Sequence, residues 1–163
     1  TVAKYLLQFE RTSMSSIELR RQLKRIEEVA AQTGMDGRTL AEDPGYQKQL
    51  SQLQIEAMAL EVSEKRVLAD LSDGKAPGPV SSLLRFTGSE TLQRAELFAV
   101  QVLGNYGIPY EIARLEIGYN GPPLGPEDAM PILGAYLNAR ARTIAGGTSQ
   151  VQRNIVAKSM LGL

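Results

Sequence analysis

The sequence has 163 residues, no cysteine and no histidine, and its 18 basic and 18 acidic side chains give a formal net charge of zero. The length suits one domain, and the missing residue types exclude zinc–thiolate centres, thiol nucleophiles and imidazole bases. Acid–base chemistry would therefore fall to carboxylates, lysines or tyrosines. A neutral chain has no overall field that attracts nucleic acid or anionic lipid, so we expect neither partner.

The N-terminal residues show no targeting signal, and no apolar run reaches the ~18 residues of a membrane span. We therefore predict a soluble protein without membrane insertion, and the lack of cysteine favours the cytoplasm. The sequence does not begin with methionine, and its apolar spacing is already helical at Val2. For this reason we expect one helical domain over residues 1–163 that is a fragment of a longer chain.

The first segment, from about Val2 to Gln32, has the apolar spacing of a long amphipathic helix. Its apolar side chains recur mostly at three- and four-residue steps, and they include Ile17, Leu19, Leu23, Ile26 and Ala30. The glycines of TGMDG, residues 33–37, predict the end of this helix, with Gly34 suited to the left-handed position beyond it.

Two more long helices follow in the sequence. Asp43 and Pro44 predict the start of the second, as its N-cap and its first residue. Its apolar residues form a seam, interrupted only by Glu64, that favours antiparallel packing on the first helix: Leu50, Leu53, Ala57, Leu60, Val67 and Leu71. After a turn over residues 72–79, a third helix is predicted from Ser81 to Asn105, with Gly88 unfavourable near its start. Its apolar positions include Leu84, Leu92, Leu97, Val100 and Leu103.

The C-terminal third combines a long irregular stretch with two shorter helices. Glycine and proline dominate residues 104–125, a kind of loop that often carries function. A helix is predicted from Pro126 or Glu127 to Arg142, and a last one runs to about Met160. Because no strand signal appears, we predict an all-α fold, an up-and-down bundle of about four to five helices.

The stretch TIAGGTSQVQRN, residues 143–154, precedes the last helix. Ser149 and Gln152 have the spacing of a capping box, in which each side chain bonds a free backbone donor near the other residue. On that interpretation Gly146 and Gly147 form a simple loop. The alternative is that the glycines allow close approach of a ligand, whose carbonyl or phosphate meets amides at the start of the helix.

The segment TIAGGTSQVQRNIVAKSMLGL is similar to the C-terminal signature of FAD-dependent acyl-CoA dehydrogenases. QVLGNYG resembles a glutamine-x-x-glycine-glycine-x-glycine segment of the same family, with Asn105 in place of the second glycine. KAPGPVSSLLRFTGSE and KYLLQFER resemble further parts of it. The likeness covers the whole chain but only the C-terminal helical domain of that family, whose other two domains carry much of the flavin and acyl-CoA site.

The resemblance implies an oxidoreductase of fatty acid and lipid metabolism that converts an acyl-CoA thioester to a trans-2-enoyl-CoA. Such an enzyme needs one base to remove a proton beside the thioester carbonyl. Many members place a glutamate where this chain has Gly146. A second branch uses a glutamate–arginine pair on the first helix, which resembles Glu10-Arg11, so Glu10 is the candidate base. The alternative is a solvated glutamate on a helix surface, the commoner case.

The resemblance also implies contacts with FAD. One segment would contact a flavin held mainly by a neighbouring subunit: Gln101, Val102, Leu103, Gly104 and Asn105. Without the resemblance, Gln101 and Gly104 would indicate a helix end closed by glycine. Thr148, Ser149 and Gln150 match a second flavin-contacting segment, in the same subunit as the base, and Gly147 matches the acyl-chain side.

The implied partners are the acyl-CoA substrate, an electron-transfer flavoprotein as electron acceptor, and further subunits in a homo- or hetero-oligomer, a dimer or a tetramer. Two alternatives remain: a non-catalytic or heteromeric subunit that completes a partner's flavin site, and a helical interaction module. The chain also departs from the family pattern. AAQTGMDGRTLAEDP lacks an arginine before a phenylalanine–glycine pair, and GYNGPPLGPEDAMP replaces a shorter segment, which suggests an unusual, bulky acyl group.

Overall fold

The computed structural model describes residues 14–32, 37–126 and 130–163. Within these ranges the fold is all-α, as predicted, and no β-strand forms. The α-helices are α1 (Ser15–Ala30), α2 (Pro44–Ser72), α3 (Val80–Leu103), α4 (Met130–Ala139) and α5 (Ser149–Val156), and a π-helical turn, Ala157–Leu161, continues α5. Short 3-10 turns cover Leu40–Glu42, Gly104–Gly107, Ile112–Leu115 and Arg140–Thr143. None of the described helices is long and apolar enough to cross a membrane.

The long helices alternate in direction. Ser16 at the start of α1 bonds to Glu64 late in α2, whereas Glu27 near the end of α1 bonds to Gln54 nearer the start of α2. These two helices are therefore antiparallel, as the seam on α2 predicted. α3 packs against each of the other four helices and forms the centre of the bundle.

α1 and α3 run in the same direction and approach each other closely. Gln22 of α1 donates to Glu96 of α3, two turns beyond the contact between Ser15 and Gly88. A β-carbon placed on Gly88 would lie 2.6 Å from the Ser15 hydroxyl oxygen. The glycine that is unfavourable for a helix in isolation therefore permits a close helix–helix contact.

One hydrophobic core joins the inner faces of the helices, and most of the apolar residues predicted to face inward lie in it. Ile17 and Leu97 are exceptions, because 55% and 41% of their surfaces are exposed. The one polar residue in the α2 seam, Glu64, is buried, with only 3% of its surface exposed. Periodicity therefore located the helix faces, including the inward position of Glu64, but misjudged Ile17 and Leu97.

The structure confirms the predicted start of α2 and corrects that of α1. Asp43 is the N-cap of α2 and accepts a hydrogen bond from the amide of Tyr46 at 2.8 Å, with Pro44 as the first helical residue. By contrast, Met14 is extended and α1 begins at Ser15, so the expectation of one helix from Val2 to Gln32 is wrong at Met14. Residues 1–13 and 33–36, which include Gly34, lie outside the described residues.

The third and fourth helices are shorter than predicted. α3 ends at Leu103, before a 3-10 turn that includes Asn105. α4 ends at Ala139, after which the chain tightens into the 3-10 turn Arg140–Thr143 instead of continuing as α-helix to Arg142. The residues proposed for the start of α4, 127–129, lie outside the described residues.

Candidate functional site

The glycine loop, residues 144–148, connects the 3-10 turn after α4 to α5 and lies beside the first half of α3. Gly146 and Gly147 have φ angles of 67° and 100°, a left-handed conformation that other residues rarely adopt. A β-carbon on Gly146 would lie 3.4 Å from the guanidinium of Arg85 in α3. The two glycines are therefore required by the backbone conformation of this loop.

The predicted capping box is wrong, because Thr148 rather than Ser149 is the N-cap of α5. The Thr148 hydroxyl accepts a hydrogen bond from the amide of Val151 at 3.3 Å. Ser149 is the first helical residue, and its buried hydroxyl has no hydrogen-bond partner among the described residues. Gln152 does not bond back to an N-cap amide; its side chain turns toward the glycine loop.

Three successive carbonyls of the glycine loop accept hydrogen bonds from side chains. Arg85 donates from Nη2 to the carbonyl of Ala145 at 2.8 Å. Gln152 donates from Nε2 to the carbonyls of Gly146 at 3.0 Å and Gly147 at 3.2 Å. We call Arg85 and Gln152 the carbonyl clamp. It ties the loop to two different helices of the bundle.

The turn that precedes the loop is also tied to α3. Gln93 donates to the carbonyl of Ala139 at 2.8 Å and to the hydroxyl of Thr143 at 3.3 Å. Beyond the loop, Arg153 of α5 pairs with Glu90 at 2.5 Å and lies 5.2 Å from the ring centre of Phe86. Both flanks of the loop are therefore held against the same helix.

A second polar cluster joins the turn after α4 to α1. Arg142 forms an ion pair with Glu18, with Nη1 and Oε2 at 3.0 Å. Nearby, Glu96 of α3 is 5% exposed and accepts a hydrogen bond from Gln22 at 3.2 Å. Burial raises the pKa of the Glu96 carboxyl, and the positive charge of Arg142 opposes that shift. Glu96 thus belongs to the packing between α1 and α3.

The start of α1 lies at the same end of α3 as the glycine loop, and a buried carboxylate holds it. No side chain caps α1 from its own N-cap position. Instead, Glu64 accepts hydrogen bonds from the Ser16 hydroxyl and from the Ser16 amide, the latter at 3.2 Å. The candidate base, Glu10, precedes this point and lies outside the described residues.

The segment 101–105 lies at the other end of α3. Gly104 closes the helix with a φ of 54°, which agrees with the helix-end alternative. Leu103 is buried in the core, and the partly buried Val102 packs against it. The side chain of Gln101 and the residues Gly104 and Asn105 are exposed.

A groove of about 510 Å³ runs beside Gln101, between the start of α2 and the second half of α3. Both polar and apolar side chains face it, including the positive charges of Lys48 and Arg94. It is lined by Gly45, Lys48, Gln49, Gln52, Leu53, Arg94, Leu97, Phe98 and Gln101.

The structure does not bring the two proposed flavin-contacting segments together. The glycine loop lies beside Arg85, and Gln101 follows 16 residues later along the same helix. At 1.5 Å per residue this corresponds to about 24 Å. If both segments contact flavins, they do so at two separate points of the surface.

The long loop before α4 is stabilised by its own side chains. Arg114 pairs with Glu111 at 2.6 Å, donates to the carbonyl of Gly121 at 3.2 Å, and lies 5.8 Å from the ring centre of Tyr119. The proposed effect of this loop on acyl-group size stays a prediction.

A family model of the acyl-CoA dehydrogenase C-terminal domain matches residues 1–161. The chain belongs to this family. This is the domain that the resemblance of TIAGGTSQVQRN and QVLGNYG indicated, so the recognition of the family from sequence is confirmed. The comparison with curated proteins found no match.

Solved structures show that the fold agrees with this family. The acyl-CoA dehydrogenase of Geobacillus kaustophilus is 21% identical, with a TM-score of 0.76 over 96% of this chain and 37% of its own. The butyryl-CoA dehydrogenase of Megasphaera elsdenii is 17% identical, with a TM-score of 0.76 over 95% of this chain and 37% of its own. A chain of the ChsE4–ChsE5 complex of Mycobacterium tuberculosis is 22% identical, with a TM-score of 0.71 over 92% of this chain and 36% of its own. The chain thus spans little more than a third of these proteins.

The described residues of this acyl-CoA dehydrogenase domain fit contact with a flavin better at the glycine loop than at the far end of α3. At the loop, the buried Ser149 hydroxyl lacks a partner among the described residues, and Gly147 has no side chain to block an approach. Gln150 is exposed beside them. At the far end, the side-chain amides of Gln101 and Asn105 are exposed, whereas the side chain of Leu103 is buried in the core.

Sequence reasoning missed the residues that shape this site from outside the motif. Arg85 lies 60 residues before the carbonyl it binds, and Glu64 lies 48 residues after the helix start that it caps. Glu64 did carry a signal, since it is the one polar step in an apolar seam. Arg85 carried none, because an arginine on a helix is ordinary.

Proposed function

We propose that the protein containing this chain is an FAD-dependent acyl-CoA dehydrogenase, and that this domain contributes the catalytic base, flavin contacts and an oligomer interface. The observation that carries the proposal is the glycine loop. Its consecutive left-handed glycines are held at the start of α5, within the family-matched region and beside the start of α1. Because glycine adopts this conformation without strain and has no side chain, the backbone can approach a ligand closely here.

The reaction is the α,β-desaturation of an acyl-CoA thioester. The base takes the proton from the carbon next to the thioester carbonyl, and a carbon–carbon double bond forms as the adjoining carbon loses a hydride. A bound flavin supplies the hydride acceptor. Electrons then leave through an electron-transfer flavoprotein. The products are a trans-2-enoyl-CoA, a protonated carboxyl group on the enzyme and the transferred hydride on its acceptor, which balances atoms and charge.

We propose Glu10 as the base because Gly146 has no side chain that could remove a proton. Glu10 lies five positions before Ser15, so the chain between them spans at most about 18 Å. Ser15 itself packs against Gly88, only three residues after the clamp residue Arg85. The chain length therefore allows Glu10 and the glycine loop to share a substrate position.

The two ends of α3 would contact two different flavins. Thr148, Ser149 and Gln150 would hold the flavin of the same active site, with Gly147 on the acyl-chain side. Gln101, Gly104 and Asn105, with the backbone of Val102 and Leu103, would reach the flavin of a neighbouring subunit. The separation of about 24 Å along α3 supports this division.

A neighbouring subunit requires an interface, and the outer face of α2 is a candidate. Ile55, Met58 and Val62 lie at helical spacing on this face, and each is about 60% exposed. We therefore propose a dimer or tetramer. One structural neighbour is a complex of two chains, ChsE4 and ChsE5, and this favours a second candidate: a heteromeric subunit that completes the flavin site of its partner.

The deciding test is Glu10→Gln in the full-length protein with FAD and a series of acyl-CoA thioesters. Because the amide cannot accept the proton, we expect reduction of the flavin by substrate to slow at least about 100-fold, while flavin content is unchanged. Glu28→Gln, on the exposed surface of α1, is the matched control. Undiminished reduction in the Glu10 variant would rule out Glu10 as the base. The heteromeric candidate predicts that the wild-type protein reduces its flavin only when a partner chain is added.

A further inference from the structure

We propose that Arg85 and Gln152, the carbonyl clamp, are positioning residues that hold the carbonyl edge of the glycine loop against the bundle and thereby present its amide edge to the ligand. The inference rests on the proposed function, because it assigns the amide edge to the flavin and the acyl group. Neither residue belongs to the segments that the family resemblance assigned to cofactor or substrate.

The first step of the argument is the orientation of Gln152. Its side-chain nitrogen carries two N–H groups, and these meet two carbonyls, those of Gly146 and Gly147. The side chain is fully buried, and its oxygen has no partner among the described residues. The reverse orientation would place that oxygen against two carbonyl oxygens. The two loop carbonyls therefore decide how Gln152 is turned, and Gln152 in turn fixes them.

The second step is that Arg85 extends the clamp by one peptide. Its Nη2 bonds the carbonyl of Ala145 at 2.8 Å, with the carbonyl of Arg142 at 3.5 Å. Three consecutive peptide units, those that follow Ala145, Gly146 and Gly147, are thus tied at their oxygen atoms. A glycine pair can adopt many conformations, and these bonds select one of them.

The third step concerns the opposite edge of the same peptides. In a trans peptide the N–H and the C=O point in opposite directions, and the chain has no cis peptide among the described residues. The amides of Gly146, Gly147 and Thr148 therefore point away from the clamp. They make no hydrogen bond to another described residue. A ligand that accepts hydrogen bonds would find three oriented donors there.

The test compares Gln152→Met and Gln152→Glu with Gln54→Met in the full-length protein. Methionine keeps the size of the side chain but removes both donors. Gln54 donates to Glu27 between α1 and α2 and is the matched control. We expect Gln152→Met to speed hydrogen exchange of the Ala145 and Val151 amides, whose hydrogen bonds to Ala141 and Thr148 flank the loop. It should also raise the Kd for FAD and the KM for acyl-CoA about tenfold, as for the loss of one or two hydrogen bonds. Gln54→Met should change none of these.

Gln152→Glu provides a signature that a role in stability alone would not produce. An ionised carboxylate cannot donate to the loop carbonyls, whereas the protonated acid can donate once. FAD affinity in this variant should therefore be weakest at alkaline pH and recover as the pH is lowered, while Gln152→Met shows no such recovery. Equal affinities at all pH values in Gln152→Glu would contradict the proposal.

Arg85→Met keeps the test decisive if the Gln152 variants do not fold, because Arg85 acts from the surface of α3. Unchanged exchange of the Ala145 and Val151 amides in Arg85→Met and Gln152→Met would overturn the clamp. Faster exchange with unchanged Kd and KM would overturn its positioning role. Exchange needs no flavin, so a wild-type protein that binds no FAD would contradict the proposed function while the exchange measurement still decides on the clamp.

Discussion

The polar side chains beside α3 are buried at its N-terminal end and exposed at its C-terminal end. At the N-terminal end, Glu64, Ser149 and Gln152 are all buried, and Glu64 and Gln152 bond backbone groups of the start of α1 and the glycine loop. At the C-terminal end, Gln101 and Asn105 are exposed beside an open groove. The first end is shaped by the chain itself, whereas the second presents groups that another molecule could complete.

The contrast has a physical cause in what covers each end. Three elements meet over the first half of α3: the start of α1, the glycine loop and α5. Glu64 and the side-chain nitrogen of Gln152 are paired there, because an unpaired buried polar group costs more than an exposed one. The Ser149 hydroxyl, by contrast, has no partner among the described residues. The far end borders the start of α2 and a 3-10 turn, and the side chains of Gln101 and Asn105 stay in water there. Three substitutions test this difference, from the largest expected effect to the smallest.

Glu64→Ala should lower the free energy of unfolding by about 3 kcal/mol, because it leaves the Ser16 amide and hydroxyl buried without an acceptor. Denaturation in urea, followed by circular dichroism, measures the change. Glu28→Ala, which breaks only an exposed pair with Lys24, should cost less than about 0.5 kcal/mol. Equal costs for the two variants would show that the buried cap does not hold the start of α1.

Gly88→Ala should destabilise the bundle by about 1–2 kcal/mol, because the new methyl group meets Ser15 at 2.6 Å and overpacks the contact between α1 and α3. Gly134→Ala in α4 is the matched control. Among the described residues its methyl group meets only Tyr110, at 3.6 Å, so the better helix propensity of alanine should stabilise the protein by up to ~1 kcal/mol. Thermal unfolding of both variants gives the sign. A stabilising Gly88→Ala would contradict the close approach.

Gln101→Met should leave the free energy of unfolding within about 0.5 kcal/mol of the wild type, since the side chain is exposed. Retention of FAD by the full-length oligomer should nevertheless fall, because this residue is proposed to contact a flavin in a neighbouring subunit. Chemical denaturation and the FAD content after gel filtration measure the two effects. Loss of stability without loss of FAD would assign Gln101 to the fold rather than to a ligand.

Local sequence signals predicted the elements that local forces decide. Asp43 and Pro44 started α2 where expected, because an N-cap and a proline at the first helical position act within one turn. The apolar side chains of the α2 seam also lie in or against the core as predicted, because the helical repeat alone decides which side chains share a face. The capping box at Ser149 failed although its spacing was correct, because Thr148 already caps α5 and Gln152 finds two better acceptors in the loop.

By itself, the sequence determined that the chain is all-α, that α2 begins at Pro44, and that it belongs with the C-terminal domains of acyl-CoA dehydrogenases. Only the tertiary structure decided that Glu64 caps α1, that Arg85 and Gln152 hold the glycine loop, and that the loop and Gln101 lie at opposite ends of α3. Patterns along a chain report periodicity and short-range hydrogen bonds. The partners of a buried polar group are set by residues that folding brings together from distant positions.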